Sequence, residues 1–283
     1  HVSMQTTYRR PTMYTIQKRL YSSKVINKYN QDVKFVGCLP NIYKINFLDM
    51  NHNSNDNKSL SEDGYFDYLQ PYKLSEKFKN QFHRRLWLGG SVKINYPVKN
   101  SYEKMNITLI ESLDKVRNLK NKAIVSTKRE IINSADNKVL LTEHRDIYYT
   151  NELHKNVEIA SADAFDKFEA DYESDAKVFT SDEIKKFSQI TENPHLIHLD
   201  AKYNCNKEGL PEKLVVQGPY LLYECIQFLT DKLNVTHVDS IEYRNNAIVF
   251  EDDTVTIKLN KTEKKLILGN KEKGICLTLN YLL

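Results

Sequence analysis

Three side chains able to move a proton or orient a hydroxyl, Asn193, His195 and His198, fall within six residues, and Gln217-Gly218-Pro219 follows about twenty residues later. His198 changes protonation near neutral pH and is a candidate general acid or base. Asn193 does not titrate, but its amide can orient a water or a substrate hydroxyl. Gly218 permits close approach, and Pro219 suits the first turn of a helix. Such a helix start presents free N–H groups and the positive end of its dipole to a developing oxyanion, the device an acyl-thioester enolate needs. Two positions stay open on residue type alone. His195 either lines the site or packs beneath it and holds Asn193, and Gly218 is either an oxyanion donor or only a helix cap.

The surrounding elements explain how these groups are held. Thr180 and Glu183 form a candidate capping box, and Ile184, Phe187 and Ile190 recur at helical spacing, so a helix starts near 181 and runs into the motif. Pro194 pushes Asn193 toward extended backbone and ends it. Val215-Val216 reads as a short buried run, and Leu221, Leu222, Cys225, Ile226 and Leu229 place a second helix after Pro219. Strands are expected on both sides of this region. Val92, Ile94 and Tyr96 alternate, followed by 106–112, 122–132 and 139–149; later come 237–244, alternating Val255, Ile257 and Leu259, then 264–269 and 275–282. Residues 51–59 are a polar loop, and 60–83 is a mixed, helix-like segment that would replace the central helix of the first sheet. The pattern predicts an α+β chain with two antiparallel sheets, the second one more complete.

Length and charge bound the organisation. The chain has 283 residues, 40% hydrophobic and 28% charged, which fits one or two globular domains. No run approaches the ~18 apolar residues of a membrane span. Cys38, Cys205, Cys225 and Cys276 lack disulfide density or zinc spacing and are read as reduced thiols, and no metal ligand set is expected. Residues 1–31 carry Arg9, Arg10, Lys18, Arg19, Lys24 and Lys28 and no acid, which is the pattern of a mitochondrial targeting segment. With those six set aside, 35 basic residues face 37 acidic ones, so the net charge of +4 is no sign of nucleic-acid binding. The expected domains are 1–31 for targeting, 34–151, an acid-rich linker over 152–178, and 179–283 carrying the motif.

The motif carries a family resemblance. Thr191, Asn193, His195, Ile197, His198 and Asp200 fill the pattern T-x-N-x-H-x-I-H-x-D, and Val216, Gly218 and Pro219 fill V-x-G-P. This resembles the hydratase motif of MaoC-like hot dog proteins. Arg84-Arg85-Leu86-Trp87-Leu88-Gly89-Gly90 resembles the segment opening the first strand of the N-terminal hot dog in double-domain members, and Ile241-Glu242-Tyr243-Arg244 resembles the strand after the central helix. The chain is similar over 84–283 to fungal mitochondrial 3-hydroxyacyl-thioester dehydratases of type 2. One departure stands out: most hydratases of this superfamily carry Asp five residues before the histidine, where this chain has Asn193.

The resemblance implies a tandem hot dog fold and dehydration of an (R)-3-hydroxyacyl thioester to a trans-2-enoyl thioester, in type II fatty acid synthesis of the mitochondrial matrix. The substrate would ride on the phosphopantetheine of acyl carrier protein or on coenzyme A, with no other cofactor. His198, Asn193 and Gly218 would be catalytic, with His195, Gln217, Pro219 and Arg244 binding substrate. Arg244 is either a solvated strand residue or reaches the phosphates of the carrier arm. Trp87 and Gly89-Gly90 are read as strand-packing and bulge residues. A monomer or weak homodimer is expected, because a tandem pair can mimic the usual dimer. Other readings are a thioesterase using Glu192 or Asp200 to activate water, a hydratase of a small acyl-CoA such as a dicarboxylyl-CoA, marked by extra cations in its pocket, and a non-catalytic acyl-carrier-binding protein.

Overall fold

The alternation in the second half sorts side chains onto two faces. In Ser240–Asn245, Ile241 and Tyr243 are buried while Glu242 and Arg244 face solvent, as the two-residue period of a strand requires. A computed structural model describes residues 24–34, 59–95, 104–155, 162–235 and 238–283. Its strands are β1 (Lys24–Lys34), β2 (Arg84–Ile94), β3 (Lys104–Asn118), β4 (Lys122–Asn133), β5 (Val139–Thr150), β6 (Tyr172–Glu173), β7 (Lys177–Val178), β8 (Ser240–Asn245), β9 (Thr254–Asn260), β10 (Lys265–Asn270) and β11 (Gly274–Leu282). They join in one sheet in the order β1-β3-β4-β5-β2-β8-β11-β10-β9-β6, with β7 also on β9. The halves meet where β2 pairs antiparallel with β8, from Gly89 opposite Arg244 to Lys93 opposite Ser240.

Two helices shape the second half. The first, α1 (Ser181–Thr191), begins at the expected box: the Thr180 hydroxyl accepts from the Glu183 N–H, and the Glu183 carboxylate accepts from the Thr180 N–H at 2.9 Å. The second, α2 (Gly218–Leu233), lies in the concave face of the second sheet, with Leu222, Cys225, Ile226 and Leu229 fully buried among Leu259, Leu266, Leu277 and Leu279. Each such side chain contributes about 1.5–3 kcal/mol on leaving water, so this face sets the position of the helix start. No described helix is long and apolar enough to cross a membrane.

The first half differs from the expected pattern in three places. Residues 59–83 form only the single turns Asp67–Leu69 and Pro71–Leu74, and no long helix lies in the first sheet among the described residues. Phe78 and Phe82 pack there with Ala123, Val125 and Tyr149. Strand β1 starts at Lys24, inside the span read as targeting, and pairs with β3 from Lys24 opposite Leu113 to Lys34 opposite Lys104. The span read as a linker contributes β6 and β7 to the edge at β9. Residues 1–23, most of the 51–59 loop, Tyr96 and Cys38 lie outside the described residues, while Cys205, Cys225 and Cys276 are unpaired thiols.

Candidate active site

The exit of α1 builds one wall of the site. Glu192 ends the helix in left-handed backbone (φ 58°), and the Asn193 N–H returns to the Ser188 carbonyl at 2.9 Å. The Asn193 Oδ1 then accepts from the His195 N–H at 3.0 Å, closing an Asx turn over Pro194. This occupies the amide oxygen and leaves Nδ2 as the donor that Asn193 can offer.

His198 sits in the single turn Leu196–His198, and its Nδ1 lies 2.7 Å from the Val215 carbonyl. A carbonyl only accepts, so Nδ1 carries the proton and Nε2 keeps its lone pair. Val215 is itself fixed, because its N–H donates to the Ile197 carbonyl at 2.9 Å. Burial, together with the neighbouring His195, lowers His198 to about 3 against the opposing Val215 bond, so the ring is a neutral base at physiological pH. His195 is held well below its ordinary value by burial and then by Arg85 and Arg84. The two rings meet edge to face at 5.4 Å.

The start of α2 forms the opposite wall. Gly218 follows Gln217, whose backbone is extended, and among the described residues the Gly218 N–H meets no acceptor. A Cβ at Gly218 would come 2.9 Å from Asn245 Nδ2 and 3.0 Å from Trp87 Cε3, so only glycine fits without displacing that wall. Between the walls lies a cavity of about 320 Å³, within the size range of small-molecule sites. Asn193, His195, His198, Gly218 and Pro219 all line it.

Two expected site residues lie elsewhere. Gln217 is fully buried beneath the cavity, where Nε2 donates to the Ile184 carbonyl at 2.8 Å and to the Ser188 hydroxyl at 2.7 Å. It ties the start of α2 to α1, so its place is structural. Arg244 is exposed on the opposite face of β8 and borders a separate groove with Gly89, Gly90 and Glu242. The inward alternation of Ile241 and Tyr243 puts it there.

Residues beyond the expected set also line the site, among them Trp87, expected only to pack the strand. Trp87 lines the cavity as well as packing the strand, with its indole N–H on the Gly89 carbonyl at 3.2 Å. The Gly89 neighbourhood is a bulge, as expected. The Asn245 Nδ2 donates to the Trp87 carbonyl at 3.0 Å, while its buried Oδ1 has no hydrogen-bond partner among the described residues. Tyr65, Arg85, Arg145 and His154 also reach the lining. The Arg-Arg pair opening β2 was the available signal for Arg85. Tyr65, Arg145 and His154 are brought in by strand pairing and loops, which spacing does not reveal.

Tandem sheets joined edge to edge, with a helix cradled in one of them, define a double hot dog fold. The fold recurs in a MaoC-like dehydratase from Phytophthora capsici (TM-score 0.59, 12% identity, 94% of this chain and 98% of that one) and in HtdX of Mycobacterium tuberculosis (TM-score 0.56, 11% identity, 89% and 99%). In sequence, residues 46–251 match the family described as hydroxyacyl-thioester dehydratase type 2, and the chain belongs to that family. A curated relative, the mitochondrial hydroxyacyl-thioester dehydratase type 2 of Saccharomyces cerevisiae, is 27% identical over 212 residues, covering 71% of each chain.

Proposed function

We propose that this protein is a mitochondrial (R)-3-hydroxyacyl-thioester dehydratase that eliminates water to give a trans-2-enoyl thioester within type II fatty acid synthesis. The observation that carries the reading is the neutral His198, with Nδ1 tied to Val215 and Nε2 left as base, in one cavity with the Gly218 helix start. The thioester carbonyl rests on the Gly218 N–H, which stabilises enolate charge as it develops. His198 Nε2 takes the α-proton, the Cβ–O bond breaks, and the same proton passes to the departing hydroxyl, which leaves as water. Asn193 Nδ2 and His195 orient that hydroxyl. The carrier is the phosphopantetheine of acyl carrier protein or coenzyme A. The mitochondrial assignment is supported by the mitochondrial relative in yeast and by the basic, acid-free residues 1–23 ahead of β1.

The geometry weighs against the competing chemistries. A thioesterase needs a carboxylate in the cavity, whereas Glu192 and Asp200 are exposed and Asp200 caps the turn at Tyr203. A dicarboxylyl-CoA needs an uncommitted cation. Arg85 is bound bidentately by Asp63, and Arg145 Nε lies 2.7 Å from Glu143. A purely carrier-binding role leaves the buried neutral imidazole without a task. Purified protein offered crotonyl-CoA should consume the enoyl absorbance, and His198→Ala should lose at least ~10²-fold in kcat, as removal of a general base requires. Absence of turnover by the wild type, or equal turnover by the variant, sinks the assignment.

A further inference from the structure

Asp63 lies outside the motif and outside the cavity lining, yet it is built into the catalytic loop. Its carbonyl accepts from the Leu196 N–H at 2.8 Å, in the middle of the 193–198 turn. The next residue, Gly64, has φ +78°, and a Cβ there would come 2.6 Å from Leu196 Cγ and 2.9 Å from the Pro194 carbonyl. The first domain thus presses its 61–65 turn directly against the motif. The Asp63 side chain is almost fully buried, with Oδ2 2.6 Å from Arg85 Nε and Oδ1 3.1 Å from Arg85 Nη2. A buried ion pair is a weak source of stability, because desolvation offsets most of its attraction. The pair also closes its own turn, since Asp63 Oδ1 accepts from the Tyr65 N–H at 3.1 Å and Arg85 donates to Ser61 Oγ at 2.9 Å, but its place beside the cavity has a second reason.

That reason is His195. Its Nε2 is buried and makes no hydrogen bond among the described residues, and Asp63 Oδ2 stands 3.5 Å away. Tyr65 meets the same ring edge to face at 6.0 Å and lies under the Arg85 guanidinium at 4.8 Å, which confines both partners. An ionised carboxylate can only accept, so it favours the imidazole tautomer that carries its proton on Nε2 and disfavours a lone pair there. A distance of 3.5 Å is long for a hydrogen bond, and catalytic hydrogen bonds tighten as the transition-state complex forms.

We propose that Asp63 is a positioning residue for this site: it holds His195 with the proton on Nε2 and leaves Nδ1 as the acceptor, supplying from the first domain the orienting carboxylate that the motif lacks at position 193. His195 then accepts from the β-hydroxyl of the substrate while Asn193 Nδ2 donates to it. This role rests on the dehydratase reading above, and the two are separable by experiment.

The tautomer is read from the 15N shifts of histidine-labelled full-length protein near pH 7, with His195→Gln assigning the signals. The protonated nitrogen of His195 should be Nε2 in the wild type. Asp63→Asn should lower kcat on crotonyl-CoA by about 10–100-fold with KM changed less than about threefold, and Asp63→Glu should restore part of it, the range seen when a partner behind a functional imidazole is removed. A wild-type His195 protonated on Nδ1 overturns the proposal, even if the aspartate variants fail to fold. So does a folded Asp63→Asn with unchanged kcat. A wild type that shows no turnover overturns the dehydratase reading and the role for Asp63 with it, whereas an active wild type with the wrong tautomer overturns the role alone.

Discussion

Replacing Gly218 with alanine separates the oxyanion role from the cap role. The added Cβ would sit 2.9 Å from Asn245 Nδ2 and 3.0 Å from Trp87 Cε3, so one wall or the helix start must retreat by about half an ångström to regain ordinary contact. Asn245 resists, because the same Nδ2 donates to the Trp87 carbonyl. Stability should fall only modestly: alanine gains up to ~1 kcal/mol over glycine in a helix and overpacking costs about 1–3 kcal/mol, so the net loss lies between about 0 and 3 kcal/mol. Catalysis should change more. Misplacing a reacting group by 1 Å costs about 10²-fold, so half that shift of the Gly218 N–H lowers kcat by roughly 10-fold or more, with KM for crotonyl-CoA less affected. Steady-state hydration of crotonyl-CoA beside a urea denaturation curve measures both effects. A variant that keeps kcat within about twofold while remaining folded would refute the oxyanion assignment and leave Gly218 as a cap.

Three further outcomes follow from the same geometry. His198 has a folded value of about 3, below the 6.5 of an unperturbed histidine, so the unfolded chain binds more protons between these values. Its contribution to stability is therefore complete above about pH 6.5 and is lost as pH falls toward 3, and a series of melting temperatures should flatten over that window in His198→Gln. Gln217→Ala removes both bonds that tie α2 to α1 and should destabilise the fold by about 1–3 kcal/mol in urea; an unchanged midpoint would contradict the tether. Arg244→Ala, on the far face of β8, should keep crotonyl-CoA turnover within about twofold, and a large drop in kcat would place that side chain in the cavity after all.

What the sequence determined by itself was local. The capping box at Thr180, the start of α2 at Gly218 and the positions of β3–β5 and β8–β11 follow from backbone preferences and from periods of 2 and 3.6, which act over a few residues, whereas β1, β6 and β7 did not show. The short spacing from Asn193 to His198 likewise kept those side chains together on one turn. Tertiary structure decided which neighbours in sequence are neighbours in the cavity. Gln217 and Gly218 are adjacent, yet one is buried beneath the site and the other lines it, because α1 packs under the start of α2. Asp63 and Arg85 lie more than a hundred residues before the motif and reach it only because β2 pairs with β8 and the 61–65 turn packs on Leu196. The packing of Phe78 and Phe82 on Ala123, Val125 and Tyr149 is of the same kind: strand pairing brings β4 and β5 side by side beneath these rings, and no local propensity records that. The motif places the His198 imidazole; the fold around it supplies the burial that keeps the ring neutral and the Val215 carbonyl that fixes it.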